Sequence, residues 1–193
     1  MKIKTTELLS RVYALLNENE TLLEERVEYG EPEAMLKPLI LDLLPDAART
    51  VLLEAPAAAI DDSVSAGSLE RIEGMTPVTF RLPADFLRLI YLKMDGWNHG
   101  LSVPLQTDGE EYALRMGMDR LRCRRRIGPA AAVRRMGADQ WLEIFGAMAG
   151  TSVARLIYLP VPAITDGHMD LPPGLVTDVC RKTAEMVFDV IKN

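Results

Sequence analysis

Histidine is almost missing from this chain: His99 and His168 are the only two in 193 residues. It is the side chain that most readily moves protons near neutral pH, so its scarcity leaves little room for general acid–base chemistry. His99 follows Trp97 and Asn98 in a glycine-bearing turn, and His168 follows Asp166 and Gly167 in a proline-rich stretch. Both read as exposed turn residues. Cysteine is as rare, and Cys123 with Cys180 does not make a disulfide framework. Cys180 falls on an apolar stripe and reads as a buried thiol. Cys123 sits among arginines, which lower the pKa of an exposed thiol, but no histidine lies beside it to complete a nucleophilic pair. The glycine patterns that cradle phosphates, GxGxxG and GxxxxGK[ST], do not occur, nor does the hydrolase elbow GxSxG. His168 and Asp170 offer two metal ligands from one segment, short of the three or four that zinc takes. Asp61 and Asp62 read as a solvated turn. No apolar run reaches the roughly 20 residues that span a bilayer, and residues 1–10 lack the apolar core of a signal peptide. The expectation is a chain with no catalytic residue, no cofactor or metal, and no membrane partner.

What the chain does have is an ordinary globular composition, 48% hydrophobic and 26% charged, over a length that fits one domain. Such a chain buries roughly two thirds of its unfolded surface without a disulfide or metal. Its charges are unevenly placed. Residues 1–112 hold 20 acids and 10 bases, whereas residues 113–193 hold 8 acids and 12 bases, so a net −6 hides ends of −10 and +4. Residues 18–33 alone carry seven glutamates against Arg26. That stretch reads as a solvated helix face and loop, with an acidic docking surface as the other reading.

Periodicity predicts helices first, strands next and a helix last. Leu8, Leu9, Val12, Leu15 and Leu16 share a stripe behind a Thr5 or Thr6 cap. Leu36, Leu39, Ile40, Leu43 and Leu44 begin a second stripe, which resumes past Pro45 with Ala48, Val51, Leu52 and Ala55. Proline predicts a kink or restart there, so one bent helix and two helices fit equally. Residues 57–74 read as loop. Residues 78–82 and 86–94 read as strands, Asp95 and Gly96 as a turn, and residues 101–103 as a strand partner. A short helix follows over 110–118, a hairpin over 130–136 and 141–145, and a last strand over 153–159. Prolines punctuate a loop from 160 to 173, and Val176, Val179, Cys180, Thr183, Ala184 and Val187 give the closing helix its apolar face. The expected architecture is a single α+β domain, with N-terminal helices (1–56) and a C-terminal helix (172–192) packed with a small, mainly antiparallel β-sheet (76–160).

The one dense concentration of chemistry is basic. Arg115, Arg120, Arg122, Arg124, Arg125, Arg126, Arg134 and Arg135 place half of the sixteen arginines within 21 residues. An extended run over 121–127 puts Arg122, Arg124 and Arg126 on one face. Guanidinium pairs bidentately with carboxylate or phosphate. Three readings follow: a solvated basic edge, a contact for an acidic protein surface such as residues 18–33, and a nucleic-acid-binding module. No aromatic residues interleave with these arginines, and the net charge repels phosphate at long range, which counts against the third.

Several segments in a fixed order resemble a known family. They are residues 45–56, opening Pro45-Asp46-Ala47-Ala48-Arg49; the run Leu82-Pro83-Ala84-Asp85-Phe86-Leu87-Arg88-Leu89 continuing to Met94 and then Trp97; residues 128–133; residues 154–160; and the closing helix. Together they are similar to the head-to-tail adaptor, or connector, proteins of tailed bacteriophages, over most of residues 45–193. The resemblance implies a non-enzymatic virion neck protein, made in the host bacterial cytoplasm, whose identical copies form a ring. That ring joins portal protein to tail proteins and lets DNA pass through its bore without sequence-specific binding. A ring needs one patch to meet a different patch on the next copy. The acidic N-terminal half and the arginines of 115–135 are the expected pair, and Trp97 is the aromatic expected at a core rim or interface. The dense arginine run departs from the family pattern.

Overall fold

The computed structural model describes residues 1–17, 32–60, 64–66, 69–120, 128–137, 139–147 and 150–192. In chain order these form β1 (Lys2–Lys4), α1 (Thr5–Asn17), α2 (Pro32–Glu54), β2 (Val64–Ala66), β3 (Arg71–Ile72), β4 (Val78–Arg81), β5 (Phe86–Met94), α3 (Glu110–Arg120), β6 (Ala130–Met136), β7 (Asp139–Phe145), β8 (Val153–Pro160), β9 (Ile164–Thr165), β10 (His168–Asp170) and α4 (Val176–Lys192). The fold is α+β, and every paired strand among the described residues runs antiparallel to its neighbour. The chain divides into two compact units: Met1–Asp62 with Val161–Asn193, and Ser63–Pro160. The helical part expected over 1–56 and the helix expected over 172–192 belong to the first, and the β-rich part expected over 76–160 lies in the second. No helix among the described residues is long and apolar enough to cross a membrane.

In the helical unit, the apolar spacing of α1 buries Leu8, Leu9, Val12 and Leu16. They meet Ile40, Leu44 and Ala48 of α2 and Val179, Cys180, Ala184 and Val187 of α4 in one core. The start of α1 is fixed from outside: both the backbone N–H and the hydroxyl of Thr5 donate to the Gly167 carbonyl, at 2.9 and 3.0 Å. Of the two readings of residues 32–56, a single helix holds, with Pro38 and Pro45 inside it. Each proline removes one donor from the helical ladder, and the buried face on either side of Pro45 supplies the compensating contacts. Burial pushes the Cys180 thiol above its ordinary pKa, consistent with an unreactive core residue.

The loop expected over 160–173 is corrected: it contains the β9–β10 hairpin, and β1 adds a third strand to it. Asp166 and Gly167 both take positive φ, 51° and 72°. This is the backbone twist of a two-residue hairpin turn, and Asp-Gly is a strong local signal for it. His168 therefore sits half-buried on a strand, its Nδ1 2.9 Å from the Asp166 carbonyl.

The β unit holds two sheets, ordered β2-β8-β5 and β3-β4-β7-β6. Val78 and Phe80 of β4, Phe86, Leu89 and Leu92 of β5, Leu142 and Ile144 of β7, and Leu156 and Tyr158 of β8 bury together in one core. Alternation along β7 then sends Glu143 and Phe145 to the far side of the four-stranded sheet, where α3 covers them. Two expectations change here. Residues 57–74 include a short 3-10 turn at Ala57–Ala59 and the strands β2 and β3, which pair along the edges of longer strands. Residues 101–103 form no strand: Leu101 alone pairs with Leu92, through two 2.8 Å bonds.

Candidate interaction surface

The entry to β5 is a built corner. Leu82 and Phe86 point inward, and the Phe86 N–H returns to the Pro83 carbonyl at 3.0 Å. Asp85, exposed at this corner, accepts a 2.9 Å bond from the Tyr158 hydroxyl on β8, whose ring stacks on Phe86 at 5.5 Å. Burial, reinforced by the bond to Asp85, holds the Tyr158 phenol well above 10, at about 12. A phenol kept neutral in the folded chain gives stability that is present below its unfolded pKa. As pH rises past about 10 the unfolded chain gives up the proton, and the folded chain keeps it until about 12. Stability is therefore expected to fall across that window. In Tyr158→Phe the part of the alkaline loss due to this group disappears, a difference that urea titrations at about pH 9 and about pH 11 measure directly. Equal alkaline loss in both proteins would remove the argument.

The outer face of the β2-β8-β5 sheet is basic and aromatic. Lys93 and Arg155 lie directly opposite each other across β5 and β8, as do Tyr91 and Ile157, while Leu92 and Leu156 between them point into the core. The Arg155 guanidinium stands 5.8 Å from the centre of the Tyr91 ring, within range of a cation–π contact. The backbone of Gly100 runs so close beneath that ring that a Cβ there would fall 2.3 Å from its Cζ. Gly100 also lines a groove of about 440 Å³ with Trp97, Asn98, His99, Leu101 and Pro129. Trp97 is half-buried, packs against the rim of the β-unit core, and donates its backbone N–H to the Met94 carbonyl at 3.1 Å.

Of the eight arginines singled out in the sequence, three have described side chains: Arg115, Arg134 and Arg135. Arg115 turns back on α3, donating through Nε and Nη2 to Glu111 at 3.1 and 2.9 Å and through Nη1 to the Gly128 carbonyl. Arg134 reaches Glu143 at 3.4 Å. Arg135 is exposed near the end of β6. Arg120 is the last residue of α3, and Arg122, Arg124, Arg125 and Arg126 lie outside the described residues. So do residues 18–31 of the acidic stretch and Cys123.

Sequence reasoning missed a buried polar group under α3. Glu143 is 6% exposed and accepts a 2.6 Å bond from the Tyr112 hydroxyl as well as the contact from Arg134. Burial first, and the bond to Glu143 second, raise the Tyr112 phenol above its ordinary range. The Tyr112 ring meets Phe145 edge-on at 5.7 Å, beside Ala130 and Ala132. This set holds a helix to a sheet. A second open groove, of about 520 Å³, lies in the helical unit between Lys2, Thr165, His168 and Asp170. Among the described residues no group of three or more metal-binding side chains converges. Charge divides between the two units much as it does between the two parts of the sequence. The helical unit carries 18 acids and 9 bases, and the β unit 10 acids and 13 bases, so their nets are −9 and +3. No protein-family model matches the chain, and no curated protein does.

Proposed function

We propose that this chain is a structural head-to-tail adaptor of a tailed bacteriophage or prophage. Identical copies assemble into a ring in the virion neck, between portal and tail proteins, and DNA passes through the bore without catalysis. The observation that carries the reading is how the family-like segments assemble. Residues 82–94 and 154–160, far apart in sequence, become the hydrogen-bonded neighbours β5 and β8. Residues 128–133 supply β6, whose Ala131 joins the same core. Residues 45–56 and the closing helix pack together in the helical unit. Segments that pack into a common core, as three of these do in the β unit and two in the helical unit, have a physical reason to occur together.

The opposite nets of the two units support a head-to-tail contact, the −9 unit of one copy against the +3 unit of the next. A ring of this kind can need its partner to assemble, so the experiment mixes the purified chain with its portal protein and images the product by electron microscopy. Rings, or a collar on the portal, are expected at low salt and fewer of them at high salt. Monomers alone at every concentration and salt, with bare portals beside them, would overturn the proposal.

A further inference from the structure

We infer that the outer face of β5 and β8, with the adjoining Trp97 groove, is a contact site for single-stranded nucleic acid. The inference stands on the geometry of the β unit and does not depend on the adaptor reading. Single-strand sites combine cations that track phosphates with flat rings on which bases stack. In the sequence these two ingredients are separated: the dense arginines of 115–135 have no interleaved aromatic residue. The fold joins them at a different place. Lys93 and Arg155 stand opposite each other on neighbouring strands, about 5 Å apart at their backbones, close enough for both heads to approach one phosphate. Arg155 rests against Tyr91, Tyr91 against Gly100, and Gly100 is a wall of the groove that holds Trp97 and His99. The path from cation to ring to groove is thus unbroken.

Charge complementarity selects an anionic occupant. Among the described residues no carboxylate lines the groove, and none is paired across β5 and β8 between Arg88 and Lys93. Asp95, the nearest acid past the end of β5, is bound by the Ser152 hydroxyl. The rings favour a nucleic acid over an acidic peptide, because carboxylates alone would leave the exposed ring of His99 and the half-buried ring of Trp97 without a stacking partner. The tight fit of Gly100 fixes the Tyr91 ring in place, so the surface is formed before anything binds.

The test is the anisotropy of a labelled oligothymidylate of about 15 nucleotides, titrated with the full chain at about 50 mM salt. Binding is expected to weaken steeply as salt rises. Lys93→Ala with Arg155→Ala, and separately Trp97→Ala, are each expected to lower affinity roughly tenfold. Arg134→Ala with Arg135→Ala is expected to leave it within about twofold. Circular dichroism of each variant identifies loss of fold, and Lys93→Gln, a surface change, serves where Trp97→Ala does not fold. Binding that survives the Lys93 and Arg155 changes, binding lost only with Arg134 and Arg135, or no binding at low salt would each overturn the site. So would a polyglutamate peptide of equal length that competes with the oligonucleotide at equal concentration.

Discussion

Replacing Phe145 by alanine is expected to destabilise the β unit by about 3–5 kcal/mol. Phe145 is wholly buried, and its neighbours across the hairpin are Ala130 and Ala132. Small side chains of a paired sheet cannot move in to fill the space, so the cavity persists and its cost adds to the lost transfer energy. The edge-on contact with Tyr112 goes as well, and with it one of the few apolar anchors of α3. Both tryptophans of the chain, Trp97 and Trp141, lie in the β unit, so tryptophan fluorescence during urea unfolding reads this unit directly. A loss below about 1 kcal/mol would mean that α3 or the sheet collapses onto the site, contrary to the packing described.

Glu143→Ala is expected to cost about 2–4 kcal/mol, and for a different reason. The carboxylate is the shared acceptor for Tyr112 and Arg134. Without it the part-buried Tyr112 hydroxyl loses its acceptor, while the half-exposed Arg134 turns to water at little cost. Glu143→Gln keeps one acceptor oxygen and is expected to lose about half as much. Tyr112→Phe removes the stranded donor, so the double change with Glu143→Ala is expected to cost less than the two single changes added together. A double-mutant cycle in urea measures that coupling, expected at about 1–2 kcal/mol. A coupling near zero would show that the hydroxyl and the carboxylate act independently.

How much of this was legible in the sequence depends on distance along the chain. The helices were legible because each carries its own stripe: Leu8, Leu9, Val12 and Leu16 in α1, Val179, Cys180 and Val187 in α4. The β6–β7 hairpin was legible because its turn and both its strands are local, with Gly137 at φ 65°. The short strands β1, β2, β3, β9 and β10 were not. Two or three residues show no alternation, and each forms only because a partner, often far away in sequence, offers an edge; Lys2 pairs with Asp170. The same holds at the site. Tyr112 is 31 residues from Glu143, and Asp85 is 73 from Tyr158. Nothing in composition or spacing joins them, although Asp85 belonged to the segment that carries the family resemblance. Trp97, expected at a core rim or an interface, is half-buried against the β-unit core. Lys93, Arg155 and Gly100 escaped notice because only strand pairing brings them together.

The helical unit is assembled from both ends of the chain, with the β unit inserted between Asp62 and Val161. During synthesis the ribosome releases α1 and α2 first, with the faces of Leu8, Leu16, Ile40 and Leu44 uncovered. About a hundred residues of β unit must then emerge before β10 and α4 arrive to close that core. Among the described residues the strands of the inserted part pair with one another, so it can fold while its host waits. Truncation that removes α4 should therefore harm α1 and α2, made before it, and an intact middle should survive in chains that never finish.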